Sequence, residues 1–214
     1  MERARAIDRV EAILDAVESD PMPVPVREVW VYGDVALGLD PIERLDVYVT
    51  KDLLMRGDAE AGERFRTSHG VKGVGKSVSA EWADAHSEHL RANANGYAAP
   101  EKCLAAHLLP EEEPVHLEVC NASFEDNVRQ RLKGAIDRDA YEQILDPRGV
   151  CLYADGQRSE SALEKLRTGE LVFPTLPEAL EMLGMEEESA SVAADAVRDY
   201  RASQTGATVR GDVV

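Results

Sequence analysis

Apolar residues recur along this chain at two periods, and the periods divide it into elements. Ile7, Val10, Leu14 and Val17 fall at helical spacing over residues 2–18, after which Pro21, Pro23 and Pro25 stop the helix and impose an extended connector. Val29-Trp30-Val31-Tyr32 is a continuous apolar run that ends at Gly33, as a strand covered on both faces does. Leu45, Val47 and Val49 alternate with Asp46, Tyr48 and Thr50, and Val115, Leu117 and Val119 alternate with His116, Glu118 and Cys120. Period two of this kind predicts a strand with one face on a core. Val150-Cys151-Leu152-Tyr153, followed by Ala154-Asp155-Gly156, reads as a further strand and its turn.

The remaining segments read as helix. Ser123 is placed to cap a helix running toward Ala140, Ser159 to Leu166 is a second, and Thr175 with Glu178 forms a capping-box pattern around Pro177. Val192, Ala196, Val197 and Tyr200 stripe a last helix. From Asp58 to about Leu109 the chain reads as helical, interrupted by Gly70, Gly73 and Gly75 and by Asn93, Asn95 and Gly96, with Pro100 placed to open a new helix. The pattern therefore predicts an α/β (α+β) fold with a small mixed sheet of about four strands flanked by helices. Residues 1–157 form the α/β domain, with a helical insertion at about 52–110; residues 158–203 form a helical C-terminal part packed on it, and 204–214 a flexible tail.

Composition narrows the setting. The 214 residues hold 41 Asp and Glu against 24 Lys and Arg, a formal net charge of -17, which argues against non-specific attraction to nucleic acid. The basic residues are lopsided, six Lys to eighteen Arg, and the acids are scattered rather than gathered in a tail, a pattern that suits a halophilic, high-salt cytoplasm. With 44% hydrophobic residues in periodic runs, the chain is separated from disordered acidic proteins. Cys103, Cys120 and Cys151 are odd in number and widely spaced, and neither a signal peptide nor a run of eighteen apolar residues is read, so the expectation is a cytoplasmic protein with no membrane span.

Three constellations carry candidate chemistry. In the first, a strand leads to Gly33-Asp34, eleven residues follow, and then comes Asp46-Val47-Tyr48-Val49. This order resembles the signature of the nucleotidyltransferase superfamily: an apolar residue, Gly, Gly or Ser, a short spacer, and Asp-x-Asp/Glu. Val115-His116-Leu117-Glu118-Val119 is similar to that family's third strand, which carries its last metal-binding carboxylate, and residues 149–156 are similar to its closing strand and turn. The resemblance spans residues 29 to 156 and implies a nucleotidyltransferase-like fold, with Asp46, Glu118 and Asp34 around a Mg²⁺ site and Gly33 beside the bound nucleotide. Transfer in that family uses two divalent metals bridged by carboxylates from neighbouring strands. Here Tyr48 stands where a second carboxylate belongs, and its phenol, with an unperturbed pKa near ~10, is a poor Mg²⁺ ligand. Asp34 stands where the family has Ser or Gly, and a carboxylate there repels a triphosphate. The resemblance thus points to a degenerate member that binds a nucleotide or phosphorylated ligand without turning it over.

In the second, Gly70 to Ser77 matches the phosphate-loop pattern G-x-x-x-x-G-K-S/T, yet residues 63–69 are no buried strand, which a working loop of that type follows. The stretch from 64 to 80 is nevertheless a basic island without acids, and Arg64, Arg66, Lys72, Gly75, Lys76 and Ser77 are the expected contacts for an anion, with pairing to the protein's own acids as the alternative. At molar salt the Debye length is ~3 Å, which favours a compact nucleotide pocket over an extended nucleic-acid groove. In the third, Cys103-x-x-x-His107 and His116-x-x-x-Cys120 supply zinc-type ligands at a spacing that matches no common zinc module. Two other classes stay open: a structural or interaction protein whose C-terminal helices, around Leu180 to Leu183 and Val192 to Tyr200, pack on a partner or a second copy, and a zinc-stabilised module.

Overall fold

The computed structural model describes residues 1–19, 26–51, 72–73, 78–79, 100–109 and 113–211. Helix α1 (Arg3–Ser19) turns Ala6, Ile7, Val10, Ile13, Leu14 and Val17 inward, and all six are buried. Strands β1 (Val26–Tyr32) and β2 (Leu45–Lys51) pair antiparallel, and β2, buried along its whole length, sits at the centre of the molecule. Strand β5 (Val115–Cys120) runs parallel to β2, and β6 (Gly149–Ala154) runs antiparallel to β1 on the other side. The sheet is completed by β7 (Gln157–Arg158) and β8 (Thr208–Gly211), giving the order β7-β6-β1-β2-β5-β8. Separately, β3 (Lys72–Gly73) and β4 (Val78–Ser79) form a two-stranded antiparallel ribbon.

Helices cover both faces of this sheet, as its alternating pattern requires. One face is apolar: Val29, Val31, Val47, Val49, Leu117 and Val119 pack in one cluster with α1, with Leu104 and Leu108 of α2 (Pro100–Leu108), and with Leu163 and Leu166 of α4 (Glu160–Thr168). The opposite face is polar and aromatic, and α3 (Phe124–Arg138) lies over it. There Phe124 stacks on Trp30 with ring centroids 4.7 Å apart and meets Tyr48 edge-on at 5.3 Å. Helices α5 (Leu176–Met182) and α6 (Glu187–Ser203) close on the far side of α3 through Leu132, Leu176, Leu180, Ala193, Ala194 and Val197. Of the C-terminal faces expected to meet a partner, Leu180 and Val197 are buried in this core, while Met182, Val192 and Tyr200 are exposed.

The capping signals that were read act as expected, Ser123 capping α3 and Thr175 with Glu178 forming the capping box of α5, while Ser159, read as the start of a helix, is the N-cap of α4. The sheet itself differs from expectation, with six strands in place of about four. Strand β7 is a two-residue return from the turn at Asp155-Gly156, too short to show a period. Strand β8 lies in what read as a flexible tail; apart from Val209 it offers no large apolar side chain, and main-chain pairing with β5 holds it. The expected insertion at 52–110 is not wholly helical, since its described residues include the β3–β4 ribbon as well as α2. Among the described residues, no helix is long and apolar enough to cross a membrane.

Candidate functional site

On the polar face, register places side chains in rows across the sheet. Tyr32, Asp46, His116 and Thr208 form one row, from β1 through β2 and β5 to β8; Trp30, Tyr48, Glu118 and Arg210 form the next. Asp46 and Glu118 therefore share a face, one row apart. Both are buried, at 0% and 3% exposure.

Each carboxylate is already engaged. Arg44, two residues before Asp46, donates from Nε to its Oδ1 at 2.8 Å. Arg201, from the end of α6, donates from Nη2 to Asp46 Oδ2 at 2.6 Å and to Asp34 Oδ1 at 3.0 Å, while Asp34 Oδ2 accepts the backbone N–H of Glu43. Gly33 makes that junction sterically feasible. Its φ is +68°, and a Cβ on it would stand 2.6 Å from both Arg201 Nη2 and Asp46 Oδ2. The space that a glycine leaves beside this carboxylate is filled by the protein's own guanidinium.

Glu118 is held by different groups. Arg131 of α3 donates to both of its oxygens, Tyr32 donates its hydroxyl to Oε1 at 3.3 Å, and His116 Nε2 lies 3.1 Å from Oε1. An ionised carboxylate only accepts, so Nε2 carries the proton; in a neutral ring, Nδ1 then accepts from the Thr208 hydroxyl 2.6 Å away. Tyr48 takes no part in this site. Its hydroxyl donates to the Ala122 carbonyl at 2.8 Å and accepts from Asn127 Nδ2 at 2.9 Å, which pins the entrance of α3 to the sheet. Burial holds the phenol protonated far above neutral pH.

The charges balance. Asp34, Asp46 and Glu118 contribute three negative charges, and Arg44, Arg131 and Arg201 three positive ones. A divalent cation would bring two further positive charges to a buried cluster that is already neutral, against the repulsion of the guanidiniums that contact these carboxylates. The donor set expected for Mg²⁺ at Asp46, Glu118 and Asp34 therefore does not fit a metal. Among the described residues, no three His, Cys, Asp or Glu side chains gather so as to hold one, which also leaves His107, His116 and Cys120 without a zinc centre; the Cys103 side chain lies outside the described residues. The cavity beside Glu118 and Arg201 measures about 30 Å³, room for a water and not for a nucleotide.

The two buried carboxylates titrate in opposite senses. Burial raises the pKa of Asp46, against the pull of Arg201 and Arg44. Burial would raise Glu118 too, but the hydrogen bond from His116 and the charge of Arg131 outweigh it and hold Glu118 down to about 2. An unfolded Glu titrates near ~4.3, so the stabilisation from this depressed pKa is complete above that value and is lost as pH falls through about 2. Thermal midpoints measured at constant ionic strength are expected to fall steeply across that window. Glu118→Gln, less stable throughout, should show a shallower slope, the residue of which belongs to groups such as Glu113, held low by its hydrogen bond from Arg9. An unchanged slope would exclude the assignment.

Gly33, Asp34, Asp46 and Glu118 are thus brought to one face, with guanidiniums where the sequence suggested a metal. Lys72 lies in the β3–β4 ribbon with its side chain outside the described residues, and Arg64, Arg66, Gly75, Lys76 and Ser77 also lie outside them. Val78 and Ser79, which follow the phosphate-loop pattern directly, are strand and not the helix such a loop opens. The arginines that complete the site were not singled out from sequence. The signal was compositional: Arg exceeds Lys threefold, and a planar guanidinium is the cation suited to buried, bidentate carboxylate pairs.

The chain belongs to a family of unknown function, DUF7095, whose profile matches residues 2–214. No curated protein and no solved structure matches it.

Proposed function

We propose that this chain is a nucleotidyltransferase-like protein that binds a nucleotide or another phosphorylated ligand and does not transfer a nucleotidyl group. The observation that carries the reading is Arg201 bridging Asp34 and Asp46 at 3.0 and 2.6 Å. Two-metal transfer needs carboxylate lone pairs open to divalent ions, so that one ion can activate the acceptor oxygen and both can neutralise the triphosphate. Here each oxygen of Asp46 is already bound by a guanidinium, Tyr48 supplies no second ligand, and the residual cavity is too small for the substrate. The placement of Asp46 and Glu118 on one face of neighbouring parallel strands supports the family likeness, and the arginines support the loss of chemistry.

The test is an incubation with each of the four ribonucleoside triphosphates and Mg²⁺ or Mn²⁺, followed by measurement of released pyrophosphate, with calorimetric titration of the same nucleotides alongside. The expected result is binding without pyrophosphate release. Sustained release that disappears in Asp46→Asn would overturn the proposal, as would failure of every nucleotide and of pyrophosphate to bind.

A further inference from the structure

A second groove, of about 470 Å³, runs beside the carboxylate site, within the size range of small-ligand pockets. One wall is a single face of α3, where Asn127, Gln130, Arg131, Gly134 and Arg138 recur at helical spacing; Arg210 of β8 and Gln143 also line it. Among the described residues that line it there is no Asp or Glu, in a chain where acids outnumber bases by 41 to 24. A larger groove of about 730 Å³ beside Asp34 lacks this character, since Glu43 and Asp199 line it together with its arginines.

The cations of the 470 Å³ groove are not equivalent. Arg131 is neutralised from beneath by Glu118. Arg138 donates to the Gln143 amide oxygen at 3.2 Å and has no carboxylate partner among the described residues, and Arg210 has no hydrogen-bond or ion-pair partner among them. The groove therefore holds two guanidiniums without an ion-pair partner among the described residues, although Arg210 stands beside Glu118 in the sheet and also lines the small cavity with Glu142 and Asp146. Asn127 is occupied by Tyr48 and Arg131, whereas the Gln143 oxygen is taken by Arg138, which leaves its amide N–H groups to donate. Such a donor-rich wall suits an oxyanion.

Gly134 has a part in this arrangement. A glycine inside a helix is unfavourable relative to alanine, yet here a Cβ would stand 2.9 Å from Arg138 Nη2. The missing side chain lets the Arg138 guanidinium fold back along α3 into the groove. No aromatic side chain lines the groove among the described residues, so a base finds no stacking surface there and recognition falls on the phosphate groups.

We propose that this groove is an anion-binding site that takes the phosphate groups of a small ligand through Arg138 and Arg210. This deepens the binding reading above and rests on it. The test is calorimetric titration of the full chain with inorganic pyrophosphate, in molar KCl and without divalent metal, with ATP as a second probe. Neither arginine forms an ion pair among the described residues, so Arg138→Gln and Arg210→Gln are expected to leave the fold intact, which thermal unfolding verifies. Each is expected to weaken pyrophosphate binding by about tenfold, the effect of losing one charge-assisted hydrogen bond. Gly134→Ala is expected to weaken it while leaving the thermal midpoint no lower than in the unaltered protein, and ATP is expected to bind within a few-fold of pyrophosphate. If pyrophosphate binds the arginine variants as tightly as the unaltered protein, or if only Lys72→Ala and Lys76→Ala weaken it, the groove is not the site although phosphate binding stands. If neither pyrophosphate nor ATP binds at all, this proposal and the proposed function fall together.

Discussion

Arg201→Ala is expected to destabilise the protein by about 3 kcal/mol, the lower end of what breaking a buried ion pair costs. The lower end applies because Arg44 still pairs with Asp46 Oδ1, while Asp46 Oδ2 and Asp34 Oδ1 lose their common donor. Burial already raises the pKa of Asp46 with both arginines present, and removing Arg201 raises it further. A carboxylate whose folded pKa lies above its unfolded value loses stability as pH rises through the folded pKa. The deficit of Arg201→Ala should therefore shrink as the pH is lowered and Asp46 takes up a proton. Combining it with Asp46→Asn should recover part of the loss, since the charge left stranded is then gone. Urea unfolding of the single and double variants across pH measures both effects. A deficit below about 1 kcal/mol, the range of exposed pairs, would show that the bridge is not the buried anchor described.

Gly33→Ala is expected to cost as much or more, for two reasons that can be separated. A left-handed backbone costs a residue with a Cβ roughly 1–2 kcal/mol, and at φ +68° this glycine occupies that region. The added methyl would also stand 2.6 Å from Arg201 Nη2 and Asp46 Oδ2, closer than packing tolerates, so the ion pair must open. The sum is on the order of 3–4 kcal/mol once part of the buried pair is lost. In the Arg201→Ala background the guanidinium is already absent, and Gly33→Ala should then cost less than in the unaltered protein, the backbone strain of roughly 1–2 kcal/mol together with the contact to Asp46 Oδ2 that remains. Additive losses in the double variant would mean that Gly33 does not act through Arg201.

The carboxylate half of the site was legible in the sequence because a strand with one core face writes its pattern locally. Asp46 and Glu118 stand at alternate positions of two apolar-polar runs, and the parallel register of β2 and β5 sets them on one face. The arginine half was not legible. Arg201 meets Asp46 across 155 residues of sequence and lies on a helix whose apolar stripe is ordinary. Nothing local marks it as the partner of a particular acid. The same limit hid β8: a strand that adds to a sheet by main-chain pairing needs few apolar side chains, and in Thr208-Val209-Arg210-Gly211 only Val209 follows the rule by which the other strands were found. The helix that carries Arg131 and Arg138 was read from sequence, but those residues were not singled out, and their significance depends on Arg210, which joins them only once β8 is in place.

That late arrival of β8 and Arg201 bears on how the chain folds during synthesis. Thr208 meets His116 across 92 residues, and Arg201 meets Asp34 across 167. A nascent chain that has not yet released Arg201 from the ribosome can pair β1 with β2 and cover their apolar face with α1. Its polar face, however, would hold Asp34, Asp46 and Glu118 against Arg44 and Arg131 alone, one negative charge in excess in a buried layer. Contacts of such long range close slowly, and here they also carry the charge that makes the layer neutral. Until Arg201 emerges, the early strands thus carry one uncompensated negative charge, and the docking of α6 is what neutralises it.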